Sequence, residues 1–177
     1  MLTPLQLLKA QLKEARESFE GTVADINPKD LNKDPGGKAL PLGAAYAHLI
    51  FSEDVIIHGI LQGKKALYEI SWEGKTGVSA PMPAMDKKWS KNHALWIKTV
   101  RIDLPQLHKY AKAVYKATDT YMSKLKNKDL TTKIDLGSWG KKTVAEILSG
   151  FIIAHTNNLT GEISAIKGVH GSTGYPF

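Results

Sequence analysis

Leu5, Leu8, Leu12, Ala15, Phe19, Val23 and Ile26 follow one another at steps of three and four residues. That spacing gathers side chains onto one face of an α-helix. Thr3 is a suitable N-cap, and Pro4 fits the first helical position, where a missing N–H costs nothing. The pattern predicts a helix from about residue 4 to about 25. Residues 27–41, NPKDLNKDPGGKALP, are rich in helix breakers and read as a long connection. From about Pro41 to Gly63 the chain is apolar around most of a helical circumference, which predicts a helix buried on several sides. His48 lies on its line Ala44, His48, Phe51, Val55.

Gly74, Gly77, Pro81 and Pro83 make residues 64–86 an irregular excursion, and MDKKWSKNHALWIKTV holds a short helix carrying Trp89, His93 and Trp96. DLPQ at 103–106 opens a long helix reaching about Lys126, with the stripe Leu104, Leu107, Ala111, Val114, Thr118, Tyr121, Leu125. TTKIDLGSWG reads as an extended excursion or loose hairpin. Thr143-Val-Ala-Glu146 is a capping-box pattern that starts the final helix. Leu148, Ile152, His155, Leu159 and Ile166 share its stripe, and Gly168 ends it. Four long amphipathic helices with long irregular connections predict an all-α four-helix bundle, a single domain over residues 1–177.

Composition narrows the partners. A chain of 177 residues with 42% hydrophobic side chains can bury a substantial core. No segment approaches the roughly 18 uncharged apolar residues of a membrane span. Charges at Lys9, Lys13, Glu14 and Arg16 break any secretory pattern, so a cytoplasmic location is expected. The absence of cysteine excludes disulfides, thiolate ligands and a cysteine nucleophile; any thiol chemistry must bring its sulfur in a co-substrate. The net charge is +7, but Arg16 and Arg101 are the only arginines and the lysines are scattered. Phosphate and base readout favour the planar fork of arginine, so a solvated surface is expected and nucleic acid is not an expected partner.

The chemistry-bearing candidates are histidines. His48 and His155 lie on apolar stripes, and three readings apply: core histidines bonded to neighbours, metal ligands, or polar anchors and acid–base groups in a metal-free pocket. His58, ten residues past His48, is rotated roughly 80° from that face. His93, His108 and His170 have no partner spacing that suggests chelation; His108 is expected at a solvent edge and His170 in a flexible tail. Tyr110, Tyr115 and Tyr121 read as core and boundary aromatics. Trp72, Trp89, Trp96 and Trp139 are expected to line a pocket mouth or anchor loops. GGK at 36–38 lacks the rest of a P-loop and is a turn.

PLGAAYAHL on the second helix, the run His155-Thr-Asn-Asn-Leu159-Thr-Gly161-Glu162-Ile163 on the last, LPQLHKYAKAVYKATDTYMSKL, and the glycine-containing tail ending in Pro-Phe together resemble the DinB/YfiT superfamily over nearly the whole chain. The resemblance implies an up-down-down-up bundle in which one histidine of helix two and two of helix four hold a divalent metal, and in which some members are thiol-dependent transferases. His48 matches the helix-two ligand and His155 the first helix-four ligand, while Leu159 stands where the third histidine is expected. Asn158 and Glu162 are the nearest replacements, Asn158 about one turn from His155 and Glu162 about 10 Å along the axis. The implied function is a small-molecule- or metal-binding protein with a degenerate histidine triad, the metal being zinc or nickel, and a thiol-dependent transferase-like activity. The alternative is a non-catalytic helical module acting through homodimerisation. Residues four apart on a helix chelate one ion well, so Leu159→His is expected to restore the pair.

Overall fold

The computed structural model describes residues 1–84 and 86–177, with Ser138 described in its backbone alone. The chain is mostly helical: α1 (Pro4–Val23), α2 (Leu42–Asp54), α3 (Leu67–Ile70), α4 (Trp89–Thr99), α5 (Leu104–Lys124), α6 (Val144–Glu146) and α7 (His155–Val169). Among the described residues the only sheet is a two-stranded antiparallel hairpin, β1 (Lys133–Asp135) and β2 (Lys141–Thr143), pairing Lys133 with Thr143 and Asp135 with Lys141. The all-α expectation holds; β1 and the turn of the hairpin fall in the excursion TTKIDLGSWG, and β2 follows directly after it.

Local signals explain the helix starts. Thr3 Oγ1 accepts the Gln6 N–H at 3.3 Å while Gln6 Oε1 accepts the Thr3 N–H at 2.8 Å, so two donors that the first turn would leave unpaired are satisfied. Thr143 and Glu146 make the same reciprocal pair. The six stripe residues within α1, from Leu5 to Val23, and Ile26 just beyond it are all buried. α1 packs along α7, α7 against α2, and α2 against α5.

Two helices are wound differently from the regular pattern. α2 passes into a π-helical stretch, Val55–Ile60, and α6 reaches α7 through another, Ile147–Ala154. At the first, the Leu61 N–H reaches back five residues to the Ile56 carbonyl at 2.9 Å. A π turn accommodates an extra residue and widens the helix, and such turns concentrate at functional sites.

The helix before the first of these turns is pinned by a buried carboxylate. Asp54 is fully buried. Its Oδ1 accepts the Leu67 N–H at 2.9 Å and lies 2.7 Å from His58 Nδ1. Its Oδ2 accepts the Tyr68 N–H at 3.1 Å and the Tyr110 hydroxyl at 2.6 Å. One side chain thus caps α3, ties α2 to α5 and holds His58, whose face differs from that of His48 as its sequence offset implies. The preceding Glu53 accepts from Arg16 at 2.5 Å and from Thr118 at 2.6 Å, and the Arg16 guanidinium lies over the Tyr115 ring at 4.4 Å. A buried charge is tolerated when donors of this kind surround it.

The C-terminal tail corrects one expectation. His170 does not lie in a free tail: its side chain is 4% exposed. Lys167, itself buried, donates to the Thr22 carbonyl at 2.7 Å and the Gly174 carbonyl at 3.1 Å and pairs with Asp25. Gly21 leaves room for the last turn of the tail, because a Cβ there would lie 2.9 Å from Pro176 Cγ. His108, expected at a solvent edge, is half-buried and bonds Tyr46 at 3.1 Å. No helix among the described residues is long and apolar enough to cross a membrane.

Candidate functional site

His48 on α2, His93 on α4 and His155 at the start of α7 meet. His93 Nε2 lies 3.0 Å from His48 Nδ1, and the His48 and His155 rings meet edge to face with centroids 5.1 Å apart. His93 is the residue that sequence spacing dismissed. It is held between two indoles, Trp89 at 4.5 Å and Trp96 at 5.7 Å, each ring tilted 24° from its own. Trp96 is anchored in turn, donating from Nε1 to the Ala80 carbonyl at 2.8 Å. Trp96 therefore fastens the α4 helix to the loop before it, and α4 presents His93 to α2.

Burial sets the charge of the cluster. It pushes His48 down to about 3, with the neighbouring His155 and His93 adding to the effect. Burial also lowers His93 and His155. The imidazoles are therefore neutral at pH 7, with ring lone pairs free to accept hydrogen bonds or to hold a metal. The consequence for stability has a definite sign. The unfolded chain takes up protons near pH 6.5 while the folded cluster resists them, so stability is complete above that value and falls as pH drops toward 3. Urea unfolding is expected to lose up to about 1.4 kcal/mol per pH unit for each imidazole kept neutral below pH 6. Replacing His48 with Phe is expected to flatten that slope; an equal slope in wild type and variant would locate the acid sensitivity elsewhere.

His48 and His155 line a cavity of about 290 Å³. Ser52 and Asn158 add polar groups to it, and the two π-helical stretches supply apolar wall through Ile56, Ile60, Ile147 and Phe151. Trp89 and the hairpin residues Leu136 and Trp139 complete it. Trp139, 51% exposed, marks the solvent end and stacks on Phe151 at 5.4 Å. Gly150 also lines the cavity, and a Cβ there would meet open space.

The sequence candidates sort clearly. His48, His155 and Asn158 share the cavity. Glu162 is exposed and does not line it. Leu159 is 3% exposed and belongs to the apolar core. For a divalent ion, three neutral imidazoles are donors of the right kind. Their arrangement is that of a hydrogen-bonded cluster, with His48 Nδ1 and His93 Nε2 directed at each other. Among the described residues no three His, Cys, Asp or Glu side chains surround a point suited to an ion.

The family model of the DinB superfamily matches residues 11–163. The crystal structure of a conserved protein from Enterococcus faecalis superposes with a TM-score of 0.76 at 21% identity, covering 97% of this chain and 100% of that one. At that identity the likeness concerns the fold. Among curated proteins none matches the chain.

Proposed function

We propose that this chain, which belongs to the DinB superfamily, binds a small organic molecule in the cavity lined by His48 and His155. The observation that carries this reading is the joining of two neutral histidines to aliphatic and aromatic walls in one cavity of about 290 Å³. Ligand sites combine a mostly apolar concavity with a few convergent polar groups. Here the imidazoles and Asn158 hold the polar group of the ligand, and Ile56, Ile147 and Phe151 exclude water from its apolar body. His48, bonded to His93 through Nδ1, offers its other ring nitrogen as a hydrogen-bond partner to the bound molecule, from a ring whose orientation α4 fixes.

Occlusion tests the reading. Gly150→Phe is expected to fill the cavity without disturbing the helix, because no atom stands within 4 Å of the added Cβ. Wild type should bind members of a panel of small aromatic compounds, read by tryptophan fluorescence, and the variant should lose at least ten-fold in affinity. Binding that is equal in both proteins, or absent from wild type, removes the cavity as the site.

The meeting of three neutral imidazoles supports a second, narrower reading, in which His48, His93 and His155 give up their mutual hydrogen bond and turn to hold zinc or nickel. Such an ion supplies Lewis acidity to a bound group. Titration calorimetry separates the two: micromolar or tighter metal affinity that falls on His93→Ala supports the ion, and no heat of binding removes it. Thiol-dependent transfer and self-association rest on the family resemblance and on the bundle pattern. Turnover on adding a thiol and sedimentation across a concentration series test them.

A further inference from the structure

Beside the cavity lies a larger chamber of about 850 Å³. The two share Ile60, Trp89, Leu136 and Trp139 as a common wall. The inner cavity alone is at the small end for a ligand site: a cavity of about 150 Å³ accommodates benzene, so this one takes a group of roughly ten non-hydrogen atoms. For a ligand larger than that, the pocket sharing Trp89 and Trp139 is the adjoining space.

The outer chamber differs in chemistry. It is lined by Asp86, Lys87 and Ser90 at the approach to α4, and by Asp135 on β1. Among the described residues, the lining of the inner cavity carries no carboxylate or ammonium. The two carboxylates come from separate elements, outnumber the single lysine, and stand in a chain of net charge +7. A cationic group approaching this protein finds its local attraction there, while an anionic tail finds one lysine against two carboxylates.

Building on the proposed cavity site, we infer that its ligand is an elongated amine: an apolar or aromatic head occupies the inner cavity, and a protonated amine reaches the outer chamber between Asp86 and Asp135. The indoles of Trp89 and Trp139 flank the link between the two parts. The head fixes whether the molecule binds, and the amine fixes which molecule is preferred.

Three probes with one head test this: phenylbutylamine, phenylbutanol and phenylbutyrate, titrated by calorimetry at pH 7 and low salt. The amine is expected to bind about two-fold to five-fold more tightly than the alcohol, the range for exposed charge pairs, and the carboxylate more weakly than the alcohol. In the double variant Asp86→Asn/Asp135→Asn the amine should fall to the affinity of the alcohol, whose own binding stays unchanged. Both aspartates are exposed, so the fold is not at stake. Equal binding of amine and alcohol, or tightest binding of the carboxylate, overturns the inference while leaving the cavity site intact. Failure of all three probes to bind overturns both.

Discussion

Asp54→Ala is expected to lower the free energy of unfolding by about 3–5 kcal/mol, a large share of the roughly 5–15 kcal/mol that holds a domain together. The carboxylate is fully buried and is the acceptor for Leu67 N–H, Tyr68 N–H and the Tyr110 hydroxyl, with His58 Nδ1 at 2.7 Å. Removing it strands donors from α3, α5 and the turn after α2 at once, and each buried donor left unpaired costs about 1–3 kcal/mol. Tyr110→Phe removes one donor and leaves the acceptor served, so about 1–2 kcal/mol is expected. Urea midpoints at pH 7.5 read both. A loss below 1 kcal/mol for Asp54→Ala would mean that water takes over the four positions and that the carboxylate does not organise the α2–α3 corner.

Leu159→His is expected to change metal affinity more than any other single substitution. The site already brings three imidazoles together, and position 159 lies one turn beyond His155 with its side chain leaning back toward that turn. A fourth imidazole there makes a pair on one helix, whose spacing the backbone fixes in advance. Nickel or zinc affinity should rise at least a hundred-fold over wild type. The same substitution places a polar ring where Leu159 is 3% exposed in the core, so without metal the variant should be less stable by about 2–4 kcal/mol. Added metal should recover part of that loss by mass action. Calorimetry and urea unfolding, each with and without metal, check the two halves. A destabilised variant with unchanged affinity would show that position 159 faces the core alone and that no chelating pair forms with His155.

What the sequence revealed, and what it concealed, follows from the range of each interaction. The α1 stripe, the N-cap at Thr3, the capping box at Thr143 and the hairpin region are local patterns, and local patterns are readable. His48, His155 and Asn158 were found because helical spacing puts them on apolar faces near family positions. His93 was missed because it lies 45 residues from His48, on a short helix whose placement depends on Trp96 reaching Ala80. No spacing rule spans that distance. Asp54 carries no signal in its local sequence and Lys167 counted among the scattered lysines of a solvated surface, yet both are buried in the fold, since their partners arrive from other elements. The π-helical stretches break the very periodicity on which helix reading relies.

The stretch Ile147–Ala154 also has an evolutionary dimension. A π turn amounts to one residue more than a regular helix would carry over the same length, and a regular helix turns about 100° per residue. A single-codon deletion inside this stretch would let the helix close up into regular winding, and because the π turn spreads its extra residue over the same arc, α7 would keep its rotation and His155 its place. What would change is the widened wall between Ile147 and Phe151, which would draw in. A relative aligned over this segment with one gap keeps the histidine and reshapes the cavity around it.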